Sequence, residues 1–426
     1  MVIPIIKRWF NLLLLRPFPS VVFRYIRDKK LLCSMFLLSI YWLYLFSALT
    51  MPYLSKLAAG FLLLLGLIGL YRLKGISHDL MSGEKWLLVS FVLFSLVSIF
   101  SFFYWPQSRD ARMHLEDYAT FMMLVPLYLL LRQFRFSFSW VLVLLVSSAI
   151  FLGLVSMVQL SYWGISRPSG GVNAMRYGAV SLVMAMFSLN AMLLIRQKSF
   201  WVKLVLGLAI CMGLLACFLA QSRGSWLAMP VLALAYTVYL YRAGHPRYLI
   251  VLVFGSVVLL AVVSQSQVVE ARVQQFVSNF ESYQNGDSQN PIGGRFDMFK
   301  AAGVLIKQNP IWGHGLNSYS PKATEIRKAT QGMSNEVGLW NNPHNEILQV
   351  MVEKGVIGLV TLLLLFAAPA CFFLQALHWA GDSIDGRQVK FYAWCGLSLL
   401  IVYAVAGQSV ALFEHDVFNH FFALMI

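Results

Sequence analysis

Long apolar runs separated by short polar interruptions make up most of this chain. Runs able to cross roughly 30 Å of hydrocarbon fall at 31–49, 57–71, 86–104, 118–131, 139–161, 177–195, 204–220, 225–241, 248–264, 346–376 and 391–411, and a short apolar tail at 417–426 is a candidate twelfth. The pattern predicts an all-α polytopic membrane protein of about 12 transmembrane helices. Between the ninth and tenth runs lies 265–343, the only segment outside the runs large enough to be a partial domain. The chain therefore divides into an N-terminal membrane region of about nine helices (1–264), a loop (265–343) and a C-terminal membrane region of two or three helices (344–426). Inside the loop, "NGDSQNPIGG" is a turn-rich breaker. An amphipathic helix is predicted from about Arg295 to Lys307, with Phe299, Ala302, Leu305 and Ile306 near one face and Asp297, Lys300 and Lys307 elsewhere. "NP" and "GHG" stop it, and it would lie along the membrane surface or cap a cavity between spans.

Composition agrees with this reading: 59% of residues are hydrophobic and 12% charged, with a mean hydropathy of +0.70, which excludes a string of soluble domains. The net charge of +15 becomes an orientation signal once the loops are considered. With a cytoplasmic N-terminus, most Lys and Arg fall on inner segments and few on the short outer loops, as the positive-inside rule requires. That places 265–343 on the outer face and removes any reason to invoke nucleic acid. The basic stretch "IPIIKRWFNLLLLRPFPS" has no small-residue cleavage site and reads as an interfacial anchor. Cys33, Cys211, Cys217, Cys371 and Cys395 all fall inside predicted spans, no Cys/His spacing suits a metal, and no nucleotide-binding glycine motif is present. No cofactor is expected.

The candidate chemistry sits at the membrane edge. In "NNPHNEILQ", Asn342 reads as an N-cap and Pro343 as a first helical residue, which puts His344 in the first turn of the tenth run with Glu346 near the positive end of the dipole. Such a place lowers a histidine's pKa, and a neutral imidazole can take a proton from an incoming hydroxyl. The alternative is a histidine that only bonds a cap or a lipid headgroup. Arg295 follows two glycines and opens the amphipathic helix, where the dipole disfavours a cation. With free helix N–H groups beside it and Gly293 and Gly294 permitting close approach, it suits a phosphate cradle, or else it is a surface arginine facing headgroups. Arg223, in "AQSRGSWLAM", sits between two runs with almost no loop, so it either functions there or snorkels. "SRPSGGVNAMRYG" brings Arg167 and Arg176 to the same face, and each alone reads as a loop charge. Four arginines at one membrane surface suit a lipid-linked diphosphate.

The many spans, the large late loop, the arginine after the seventh run, the arginine in the loop and "PHNEILQVMVEKGVIGLV" at its end together resemble the O-antigen ligase family of Gram-negative inner membranes. Its superfamily also holds O-antigen polymerases and protein O-oligosaccharyltransferases. The sequence-specific part is HN-x-x-L-Q with Gly355 and Gly358, plus "SRG" and "GGR". The resemblance implies a GT-C-like, metal-independent, inverting glycosyltransferase of the inner membrane with its site on the periplasmic side. Such an enzyme moves polysaccharide from undecaprenyl diphosphate to a sugar hydroxyl of lipid A-core, with membrane lipids around both substrates. His344 matches the family's essential loop histidine, and Arg223 and Arg295 match the arginines that hold the diphosphate. His314, in "GHGLNSY", stands where relatives carry a small or apolar residue. With Asn345, Arg167 and Arg176 it is a further candidate for substrate contact. The lack of a sizeable domain after the last run favours a ligase, while a polymerase or a protein O-oligosaccharyltransferase stays open. A flippase or transporter would place ionisable groups deep in the spans, where little beyond Lys354 is expected.

Overall fold

An apolar segment in lipid must satisfy its own backbone, and the described runs do so as helices. The computed structural model describes residues 21–72, 80–105, 111–134, 136–195, 199–242, 250, 265 and 267–426. Among them are fourteen helices and no strand: α1 (Val21–Ala48), α2 (Pro52–Arg72), α3 (Ser82–Tyr104), α4 (Ala111–Leu131), α5 (Phe138–Ser161), α6 (Ala174–Leu194), α7 (Phe200–Leu219), α8 (Arg223–Arg242), α9 (Gln267–Gln284), α10 (Pro291–Gln308), α11 (Tyr319–Ala329), α12 (Glu346–Trp379), α13 (Ile384–Ala406) and α14 (Asp416–Met425).

Of the described helices seven, α3, α5, α6, α7, α8, α12 and α13, are long and apolar enough to cross a membrane. The apolar parts of α1 and α2 are shorter, Cys33–Ser47 and Tyr53–Gly69. Helix α4 has the length, but Arg112, His114, Glu116 and Asp117 fall in its first two turns. The described residues thus form a multi-pass membrane protein with fewer full spans than the twelve expected. Of the ninth predicted run, 248–264, all but Ile250 lies outside them, as does the basic stretch before residue 21. The tail is not a twelfth span: α14 has ten residues, about 15 Å of helix. Its Phe418, Phe421 and Phe422 are buried inside the bundle, with Phe422 against Phe91, Phe121 and Phe413.

Helix α12 runs along α3 and α13, α6 lies against α5, α7 and α13, and α14 packs on α4. Small residues permit the close approaches: Gly213 of α7 lies against Ala185 of α6, where an added Cβ would come within 2.9 Å. Neither α9, α10 nor α11 is apolar enough to span. They form a second small core of Met298, Ala301, Ala302, Leu305, Tyr319, Ala323 and Val337 that closes on Val352 of α12.

Helix α10 begins four residues before its predicted start. Asn290 caps it, accepting from the amides of Ile292 and Gly293, and Pro291 fills the first turn. Arg295 therefore lies in the second turn and does not open the helix. Asp297, expected away from the buried face, is buried instead, accepting from the Ser334 amide (2.9 Å) and the Lys300 ammonium (3.3 Å).

Candidate active site

The histidine segment folds differently from its predicted helix start. His344 takes a left-handed conformation (φ 55°), so the helix cannot begin at Pro343. Its amide donates to the Asn342 side chain (2.9 Å), and the cap passes to Asn345, whose Oδ1 accepts from Leu348 N (3.0 Å). His344 is thus the residue before the N-cap, held outside the helix by a side-chain turn. Its ring faces Trp340, with centroids 5.7 Å apart. A positive φ at a non-glycine residue is a local strain that surrounding contacts must hold, and such strain clusters at functional sites.

Eleven residues after His344, α12 breaks at Gly355 (φ 61°). The break frees backbone groups, and the "NPIWGHG" turn takes them up. His314 N donates to Val352 O (2.8 Å), Gly315 N to Glu353 O (2.9 Å), and Val356 N donates to Pro310 O (2.8 Å). The remaining stretch, 356–379, is about 36 Å long, enough to cross a bilayer core. His314 is engaged in this packing, its Nε2 2.8 Å from Leu305 O and its ring 6.3 Å from that of Trp105. Burial lowers its pKa.

Lys354 is not a solitary buried ion, contrary to expectation: Glu346 and Glu353 are buried beside it. Glu353 Oε1 accepts from Asn317 N (2.7 Å) and Gln349 Nε2 (2.8 Å), and the Lys354 ammonium lies 3.1 Å from Ser98 Oγ and 3.2 Å from the Tyr118 ring centroid. These groups pin the loop and α3 to the kinked helix.

Charges from the four arginines reach His344 directly or in turn: Arg295 and Arg176 act on His344, and Arg223 and Arg167 act on Arg295. Arg295 is held below the usual arginine range by burial and then by the like charges of Arg223 and Arg167, with Glu336 acting the other way. His344 is lowered to about 4, first by burial and then by Arg295 and Arg176. Arg167 Nε donates to Ala220 O (2.9 Å) and Arg176 Nη2 to Ala411 O (2.9 Å), with the Arg176 guanidinium 5.6 Å from the Phe418 ring. The buried Nδ1 of His344 and Nε of Arg176 meet no hydrogen-bond partner among the described residues. A neutral imidazole with an unfilled nitrogen, acted on by the Arg295 and Arg176 cations, can receive a proton while guanidinium groups hold anionic oxygens.

Two details of the predicted site change. The space beside Gly293 and Gly294 is filled: an added Cβ would lie 2.7 Å from Ser288 Cα at the first and 2.6 Å from Glu336 Oε2 at the second. With the first-turn amides satisfied by Asn290, the start of α10 offers no phosphate cradle, and of that predicted cradle only the Arg295 side chain remains. Asn345 is engaged as the N-cap and also donates to Gln408 Oε1 (3.2 Å).

Sequence reasoning missed the loop 407–415, "GQSVALFEH", which stitches the histidine segment to the end of the chain. Glu346 N donates to Gly407 O (2.7 Å), and Glu346 Oε2 accepts from the amides of Leu412 (2.6 Å) and Phe413 (3.1 Å). Asn342 Nδ2 donates to Glu414. Burial, reinforced by Glu353 and Glu346, holds the Glu414 carboxyl well above the usual range. A carboxylate in the apolar run "VALFEHDVF" was the available signal.

Residues 207–363 match a family model described as O-antigen ligase. The match takes in Arg223, Arg295, His314 and His344. A protein of Haemophilus influenzae, described as uncharacterized, is 26% identical over 302 residues, covering 70% of this chain and 74% of that protein.

Proposed function

From the match of residues 207–363 to a family model described as O-antigen ligase, we propose that this membrane protein is an O-antigen ligase. In this reading it is an inverting glycosyltransferase that moves polysaccharide from undecaprenyl diphosphate to a sugar hydroxyl of lipid A-core, at the periplasmic face of a Gram-negative inner membrane. The observation that carries the reading is a histidine, His344, lowered to about 4 by burial and by Arg295 and Arg176, with Arg223 and Arg167 acting on Arg295 in turn. His344 removes the proton of the acceptor hydroxyl, whose oxygen attacks the anomeric carbon from the side opposite the diphosphate. The carbon–oxygen bond to the diphosphate breaks, and the leaving group departs with the bonding pair as the guanidinium groups compensate its charge. The proton leaves His344 for solvent, and one displacement inverts the anomeric centre. Bidentate guanidinium contacts hold phosphate oxygens in place as well as neutralising them, the work a divalent cation does in many sugar transferases.

An O-antigen polymerase uses the same donor chemistry. The lipopolysaccharide of a strain lacking the gene separates the two. Loss of all polymer from the lipid supports the ligase, whereas a ladder collapsed to a single repeat supports the polymerase and overturns the ligase reading.

A further inference from the structure

We infer that Glu414 is a positioning residue for His344, acting through the Asn342 side chain, so that the loop 407–415 belongs to the transfer site. The inference rests on the glycosyl-transfer reading above. Its geometric basis is a chain of two bonds: Asn342 Nδ2 donates to Glu414 Oε2, and Asn342 Oδ1 accepts from His344 N (2.9 Å). A side-chain amide has a donor end and an acceptor end that exchange on a half-turn. With Glu414 accepting at one end, the acceptor end must face the His344 amide. Without that carboxyl only the His344 N–H favours the unflipped amide, and the Asn342 side chain loses its second anchor. His344 holds φ 55° only while that bond stands, and a residue released from it relaxes toward extended or helical backbone and carries its imidazole away.

Burial makes an incidental carboxyl a poor explanation. Glu414 is 8% exposed between Phe413 at 1% and Val417 at 1%, in a neighbourhood where an apolar side chain would cost less. Its Oε1 meets no hydrogen-bond partner among the described residues; Asn342 is hydrogen-bonded to Oε2, and the Arg176 charge also acts on this carboxyl. The loop itself is held in place independently, by Glu346 on the Leu412 and Phe413 amides and by Arg176 on Ala411 O. Replacing Glu414 should therefore disturb His344 and leave the loop standing.

The test compares E414L, E414Q, N342L and the E414L/N342L double variant in purified protein with both lipid substrates. E414L and N342L should each lower kcat about a hundredfold, the scale for a base displaced by about an ångström, with KM for donor and acceptor little changed. E414Q keeps an acceptor for Asn342 and should recover most of the lost kcat. The double variant should be no slower than either single one, because both break one relay. Carbethoxylation of His344 by diethyl pyrocarbonate, read on its peptide by mass spectrometry, should change in E414L and N342L and return to the wild-type rate in E414Q. Wild-type kcat in E414L, multiplying losses in the double variant, or unchanged His344 reactivity would overturn the inference. If wild-type protein transfers no glycan to lipid A-core, the ligase reading falls, and the reactivity pattern still decides the relay.

Discussion

Gly355 and Ile311 meet backbone to backbone: the Ile311 carbonyl occupies the place where a Cβ on Gly355 would go, at a residue already in a positive-φ conformation. This contact seats the "NPIWGHG" turn on the broken helix and so joins the loop domain to α12. Gly355→Ala should destabilise the protein by about 2 kcal/mol or more, from backbone strain and the clash together. Gly303→Ala, in the middle of α10 with nothing near its missing Cβ, should be neutral or stabilising by up to about 1 kcal/mol. Apparent melting temperatures in detergent check both, and equal behaviour of the two variants would refute the kink contact.

Arg223 and Arg295 separate a clamp from a mere charge. If they only serve the membrane edge, lysine replaces them, because both side chains snorkel. If they hold a diphosphate, Arg223→Lys and Arg295→Lys lose the planar fork and should each lose about 3 kcal/mol of transition-state stabilisation, roughly a hundredfold in initial rate. Wild-type rates in both at saturating donor, with membrane levels matched by blot, would defeat the clamp.

The lowered pKa of His344 sets a pH dependence. A depressed pKa keeps the base form down to lower pH, so kcat/KM for the donor should stay level as pH falls through the ordinary histidine value of 6.5 and drop only toward about 4. Burial is the main cause, and Arg295 and Arg176 add to it. Arg176→Gln removes one of those cations, so its acid limb should move up in pH. An acid limb near 6.5 in the wild-type protein would contradict the buried, cation-flanked setting of His344.

His344→Gln keeps hydrogen bonding and loses basicity. It should lower transfer by at least about a hundredfold while the protein stays inserted and folded, since the residue precedes α12 and its ring is only partly buried. Near-normal transfer would leave His344 as a turn residue only.

The parts of this molecule legible in the sequence are those that short-range patterns specify. Apolar runs specify the long helices, and the residue types at 223, 295 and 344 mark groups whose charges act on one another, Arg223 on Arg295 and Arg295 on His344. Capping was misread because "NNPHN" offers two asparagines at plausible spacing; the choice of Asn345 depends on the left-handed turn at His344, which no local preference dictates. The two glycines before Arg295 looked like room for a ligand, and only the distant Glu336 shows that the room is taken. The loop 407–415 escaped notice for the same reason. The Asn342–Glu414 bond joins residues 72 apart in sequence, and the short apolar α14 that follows resembles a span until its length is set against the bilayer.

Whether guanidinium groups take the place of a metal ion is the most direct question. Purified protein, given a lipid-diphosphate glycan donor and lipid A-core acceptor in excess EDTA, should transfer glycan at its full initial rate. An absolute requirement for restored magnesium or manganese would contradict the arginine-and-histidine mechanism.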